Sequence, residues 1–167
     1  MSRAVAPLVI FAVGNPSRGD DALGPRLAEQ LAALPPTPAW ELVEDFQLQV
    51  EHSLDLCDRQ LALFIDAGSG TPAPFSFYPL NPRAAFGPSS HALAPEAVLA
   101  VFAQTQQAAP PPAYVLCVRG EDFSLGAPLS PAAETHLAAA WAQLETLLAQ
   151  PTPAAWAALA TAAPDPR

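Results

Sequence analysis

Residues 8–21 read LVIFAVGNPSRGDD, and the join at Gly14 decides the fold. Leu8 to Val13 is an unbroken apolar run of strand length, the pattern of a strand covered on both faces. Gly14 ends it, and a polar turn follows with two adjacent carboxylates, Asp20 and Asp21. Leu23, Leu27, Leu31 and Leu34 then recur at helical spacing, which predicts a helix over about 21–34. LPPTP at 34–38 stops that helix, because proline lacks the amide donor a helix interior needs.

The same alternation continues down the chain. WELVEDF at 40–46 reads as a second strand, and QVEHSLDLC at 49–57 as a short helix with Val50, Leu54 and Cys57 on one side. LALFIDAG at 61–68 is a continuous apolar run ending in an acid and a glycine, a third strand buried on both faces. FSFYPL at 75–80 suits an edge strand, since prolines stand in and around it. A helix at about 95–107, a buried strand AYVLCV at 113–118 and a helix at about 131–148 complete the set. The last helix carries Leu137, Ala140, Trp141, Leu144, Leu147 and Leu148 at helical spacing.

This order predicts an α/β three-layer sandwich: a mostly parallel, twisted sheet of about five strands with helices on both faces. It forms one domain over residues 1–150. Residues 151–167, PTPAAWAALATAAPDPR, are rich in Ala and Pro and are expected to form a loose tail.

Charge and composition narrow the function. Seven Lys and Arg against sixteen Asp and Glu give a formal charge of −9, which disfavours nucleic acid and anionic membrane as partners and suits a basic protein segment or a divalent cation. The acidity could equally serve solubility alone. Cys57 and Cys117 are far apart with no CxxC pairing, so neither a disulfide framework nor a thiolate zinc site is suggested. The N-terminal apolar run has an arginine before it but is short, lacks a small-residue cleavage site and leads into the acidic turn, so it reads as a strand and not a signal peptide. No stretch approaches the roughly 20 apolar residues that cross a bilayer. The expectation is a soluble, cytoplasmic protein.

In doubly wound sheets, ligands bind beyond the carboxyl ends of the strands where strand order reverses. If strands one and three are neighbours, Asp20, Asp21 and Asp66 converge there. Each acid also has an ordinary explanation. Asp20 is placed to cap the first helix, Asp21 to complement its dipole and Asp66 to serve as a turn residue.

Gly14 and Gly19 have the spacing of the outer glycines of a phosphate-binding loop, but acids stand where Lys and Ser/Thr belong, and Ala12 replaces the first glycine of a dinucleotide motif. A nucleotide held through Mg²⁺ is the reading this leaves open. No G-x-S-x-G elbow is present, so a metal-bound water or a carboxylate base is the expected agent of any chemistry. Of three histidines, His136 reads as helix decoration and His52 as exposed or capping. His91, in the loop FGPSSHALAPE, is the candidate cation ligand.

These pieces resemble the hydrogenase maturation endopeptidases, which trim the C-terminus of the large subunit of [NiFe] hydrogenases. The matching parts are VGNPSRGDDALGPRLAEQL, DFQLQVEHSLDL, LFIDAGSG, the His91 loop and RGEDFSLGAPLSP, spread over residues 8 to about 148. One departure is Ala22, where the acidic pair is often followed by glycine. The wording QLQVEH is similar to members that serve cytoplasmic, NAD-linked hydrogenases.

The resemblance implies a nickel-dependent, specific endopeptidase whose partner is the nickel-loaded large-subunit precursor. It implies a cation site of Asp21, Asp66 and His91 and catalytic roles among Asp20, Asp21 and Asp66. The nickel is that of the precursor, with cadmium or zinc as occupants in isolation, and the protein acts as a monomer. Two carboxylates and one imidazole leave coordination positions open for a metal already held by another protein. A non-catalytic nickel-site checkpoint on the same scaffold is the alternative.

Overall fold

The run Leu8–Val13 forms strand β1, all six residues of which are buried. The remaining strands are β2 (Trp40–Asp45), β3 (Leu61–Gly68), β4 (Phe75–Leu80) and β5 (Ala113–Arg119). They hydrogen-bond in the order β2-β1-β3-β5-β4. In this computed structural model, which describes residues 4–83 and 93–163, β1 pairs parallel with both β2 and β3, and β3 pairs parallel with β5. Only β4 runs antiparallel, at the edge beside β5, where Pro79 costs the sheet least. The strand order reverses between β1 and β3, so the carboxyl ends of those two strands open a crevice.

Side chains alternate across the sheet and build two cores. On one face Leu8, Ile10, Leu63 and Leu116 meet Leu23, Leu27 and Leu31 of helix α1 (Leu23–Ala32) and Leu137, Ala140, Leu144 and Leu147 of helix α3 (Pro131–Ala149). On the other, Val9, Phe11, Phe64 and Val115 meet Val98, Leu99 and Phe102 of helix α2 (Pro95–Gln106) and Leu48 and Leu56. Helices on both faces of a mostly parallel sheet make the three-layer sandwich the periodicity predicts.

Two expectations are corrected. The 49–57 segment is a 3-10 helix, Val50–Leu56, and its apolar positions Val50 and Leu54 face outward at 51% and 63% exposure while His52, Ser53 and Leu56 are buried. A 3-10 turn brings residues three apart into line, so Ser53 and Leu56 share the inner side, while Val50, on the same line but at the first residue of the turn, lies beyond the cover of the core. The expected loose tail is also ordered over Pro153–Leu159, helix α4. Trp156 is fully buried, its indole N–H donates to the Leu147 carbonyl at 3.0 Å, and its ring packs edge-on against Phe77 and Tyr114. One large aromatic anchors a segment whose composition alone reads as disorder.

Candidate functional site

The site is built where β1 ends. Gly14 has φ +149°, and a Cβ there would lie 2.1 Å from the Asp21 carbonyl oxygen, so only glycine lets the turn fold back against the acidic pair. Its N–H donates to the Asp45 carbonyl at 3.1 Å, tying the turn to the end of β2. Gly19, at φ +54°, lies against the Asp122 backbone, where a Cβ would come within 2.2 Å of the carbonyl oxygen. Gly19–Ala22 then forms a 3-10 turn that runs into α1.

The two adjacent acids point to different places. Asp20 is not the cap of α1, for neither that helix nor the 3-10 turn has a side-chain cap. Its carboxylate is fully buried and accepts from the Glu121 and Asp122 amides at 2.6 and 3.1 Å and from the Ser130 amide and hydroxyl, each at 2.7 Å. Burial acts to raise its pKa, yet the bonds from Ser130, Glu121 and Asp122 prevail and hold the carboxyl below its ordinary value. Ser130 is in turn the N-cap of α3, accepting from the Ala133 amide. Asp20 is thus a buried tie between the acidic turn, the loop after β5 and the start of α3, its carboxylate held among the Glu121 and Asp122 amides and the Ser130 amide and hydroxyl.

Asp21 is half-buried, and its Oδ2 accepts from the Asn15 amide at 2.7 Å across the turn. Asp66, near the end of β3, accepts from the Ala67 amide at 2.8 Å. Burial pushes the Asp66 carboxyl up to about 7, the Ala67 amide opposes this, and the charge of Asp21 adds to it. Asp21 and Asp66 thus stand at the carboxyl ends of neighbouring parallel strands, β1 and β3, and among the described residues neither takes part in a salt bridge. Two carboxylates without a cationic side chain between them fit a bound cation.

His91 lies outside the described residues. Leu93, two residues on, donates to the Leu48 carbonyl at 3.4 Å, and α2 packs on the sheet face that carries Asp66. Among the described residues alone, no group of three His, Cys, Asp or Glu forms a metal cluster.

Cys117, His52 and His136 each take a place in the fold. Cys117 stands beside Asp66 in the β3–β5 register, and its sulfur is 3.2 Å from the Thr71 hydroxyl. Burial pushes its thiol up, Thr71 pulls the other way, and the Asp66 charge raises it further, so it is a neutral thiol and no ready nucleophile. His52 is buried, accepts the Gln49 amide at Nδ1 (2.8 Å) and sets Nε2 3.4 Å from Asp45. It caps its own helix, as expected, but from inside the fold. His136 lies 3.0 Å from the Arg119 carbonyl through Nδ1, a tether between α3 and β5.

A cavity of about 350 Å³ lies beside the turn, lined by Ala12, Gly14, Pro16, Pro25, Glu44, Asp45 and Phe46. The larger cavity, about 700 Å³, is at the opposite end of the strands among Val5, Pro36, Pro38 and Trp40, away from both carboxylates.

A doubly wound α/β domain with paired acids at its topological switch point is the class this arrangement defines. More narrowly, the chain has the fold of the hydrogenase maturation endopeptidases, the family its motifs resemble. The hydrogenase maturating endopeptidase HybD from E. coli matches with a TM-score of 0.70 at 21% identity, over 86% of this chain and 93% of its own. The [NiFe] hydrogenase maturation protease HycI from Thermococcus kodakarensis KOD1 matches with a TM-score of 0.65 at 20% identity, over 87% and 94%. HybD from Thermococcus kodakarensis gives 0.64 at 16% identity, over 84% and 97%. No protein-family model and no curated protein sequence matches the chain.

Proposed function

We propose that this protein is an endopeptidase of hydrogenase maturation that removes the C-terminal extension of a [NiFe]-hydrogenase large-subunit precursor. The observation that carries the reading is the fold shared with proteases of that name, with Asp21 and Asp66 following neighbouring strands at its switch point. In this reading Asp21, Asp66 and His91 bind the nickel of the precursor, and the reaction waits on nickel insertion because the ligand set is incomplete without the precursor's own. Asp21 is pinned by the Asn15 amide and Asp66 by the Ala67 amide, so both are held in position before the metal arrives.

The reading locates the protein in the cytoplasm, in keeping with the finding that no helix among the described residues is long and apolar enough to cross a membrane. The experiment is incubation with nickel-loaded precursor and measurement of the precursor's mass. A stable complex with no loss of mass identifies the second reading, a nickel-site checkpoint, which the neutral Cys117 thiol favours by leaving the crevice without a ready nucleophile.

A further inference from the structure

Three apolar side chains of the segment that follows β2 stand in water: Phe46 at 67% exposure, Val50 at 51% and Leu54 at 63%, and Phe46 also lines the cavity beside the Gly14 turn. They lie in one continuous segment, from the residue after β2 through the Val50–Leu56 turn. That segment is rigid where it meets the fold, since Leu48, His52, Ser53 and Leu56 are buried. It is also bonded to the site, because the Asp45 carbonyl accepts the Gly14 amide and the Leu48 carbonyl accepts the Leu93 amide. Three large apolar groups left exposed on one short segment mark an interaction surface.

The charges around the patch select the occupant. Glu44, Asp45 and Glu51 are exposed and Asp55 is half-buried. The nearby basic group, Arg59, is already engaged: its guanidinium pairs with Glu41 and donates to the Asp55 and Ala6 carbonyls. A second copy of this chain would set these acids against themselves, and an anionic membrane would be repelled. An apolar protein segment carrying lysine or arginine satisfies both the patch and its rim.

We propose that Phe46, Val50 and Leu54, within the acidic rim of Glu44, Glu51 and Asp55, form the docking face for a basic, apolar segment of the protein whose chain end enters the crevice. This rests on the maturation-protease reading for the identity of that protein. Docking on a face tied to the Gly14 turn fixes the distance from the partner's body to Asp21, which makes cleavage specific without a deep pocket for the scissile residues.

The test is surface plasmon resonance with immobilised nickel-loaded [NiFe]-hydrogenase large-subunit precursor, alongside a cleavage assay. Phe46→Ser and the double variant Val50→Ser/Leu54→Ser should bind roughly tenfold to a hundredfold more weakly. Glu51→Lys should also weaken binding and flatten its dependence on salt. Leu159→Ser, an exposed apolar change on α4, should bind as wild type. Melting temperature confirms folding, and Leu54→Asn replaces the double variant if that variant fails to melt cooperatively.

Equal binding by the patch variants, or tighter binding by Glu51→Lys, overturns the proposal, as does a wild-type dimer in sedimentation velocity that Leu54→Asn dissociates. Precursor that binds through the patch but is never cut refutes the protease reading and leaves the docking face standing. Precursor cut with full efficiency by the patch variants does the reverse.

Discussion

Asp20 and Ser130, 110 residues apart in sequence, are joined twice: the Ser130 amide donates to Oδ1 and its hydroxyl to Oδ2, each at 2.7 Å. Through this pair the turn that carries Asp21 is bound to the start of α3. Asp20→Asn keeps the shape but turns an amide NH₂ toward backbone donors, so it should lose about 2–4 kcal/mol of stability at pH 7. Because the folded-state pKa is depressed, the carboxylate's contribution is present above 3.8 and is lost as pH falls through the folded value. Urea denaturation of wild type and variant at pH 7, 5 and 3 should therefore converge toward the lowest pH.

Asp66 acts in the opposite direction. Its pKa is raised from 3.8 to about 7 in the folded protein, so its favourable contribution is complete below 3.8 and is lost as pH rises through 7. Without metal, in the presence of a chelator, Asp66→Asn should melt above wild type at pH 8 and match it near pH 4. A wild type that melts above the variant at pH 8 would show that the site carries no strain of charge.

Trp156 is the anchor of α4, fully buried with its N–H bonded to Leu147. Trp156→Ala should lower stability by about 3–5 kcal/mol, measurable by chemical denaturation. Truncation after Gln150 should do at least as much, since it uncovers Phe77 and Tyr114 as well.

His52 accepts the Gln49 amide at Nδ1, so its proton sits on Nε2, toward Asp45. Long-range ¹H–¹⁵N correlation spectra at pH 8 should show the Nε2–H tautomer. The Nδ1–H form would mean that the Gln49 amide does not donate to His52 at the start of the Val50–Leu56 turn.

Much of the fold is legible locally, because strands buried on both faces leave unbroken apolar runs: 8–13, 61–68 and 113–118 lie within a residue of β1, β3 and β5. That the strands carrying the Asp21 turn and Asp66 are neighbours follows from the strand order alone. Other features depend on distant contacts. Asp20 looks like a helix cap because its partners, in the RGEDFSLGAPLSP stretch, lie about a hundred residues away. Val50 and Leu54 look buried under a 3.6-residue period; in the 3-10 turn the chain adopts, Ser53 and Leu56 take the inner side, Leu54 turns outward and Val50 sits at the exposed first residue. The tail reads as loose by composition, although its one tryptophan was the signal that something must cover it. His91 lies outside the described residues, so its place beside the two acids stays a proposal.

The central claim is that a chain end of a nickel-bearing precursor is cut at the Asp21–Asp66 crevice. Mass spectrometry of the precursor after incubation measures this directly. Wild-type protein should shorten nickel-loaded precursor at its C-terminus and leave nickel-free precursor intact, while Asp21→Asn should leave both at full length. Precursor that keeps its full mass with wild-type protein, while nickel is demonstrably bound, would contradict the account.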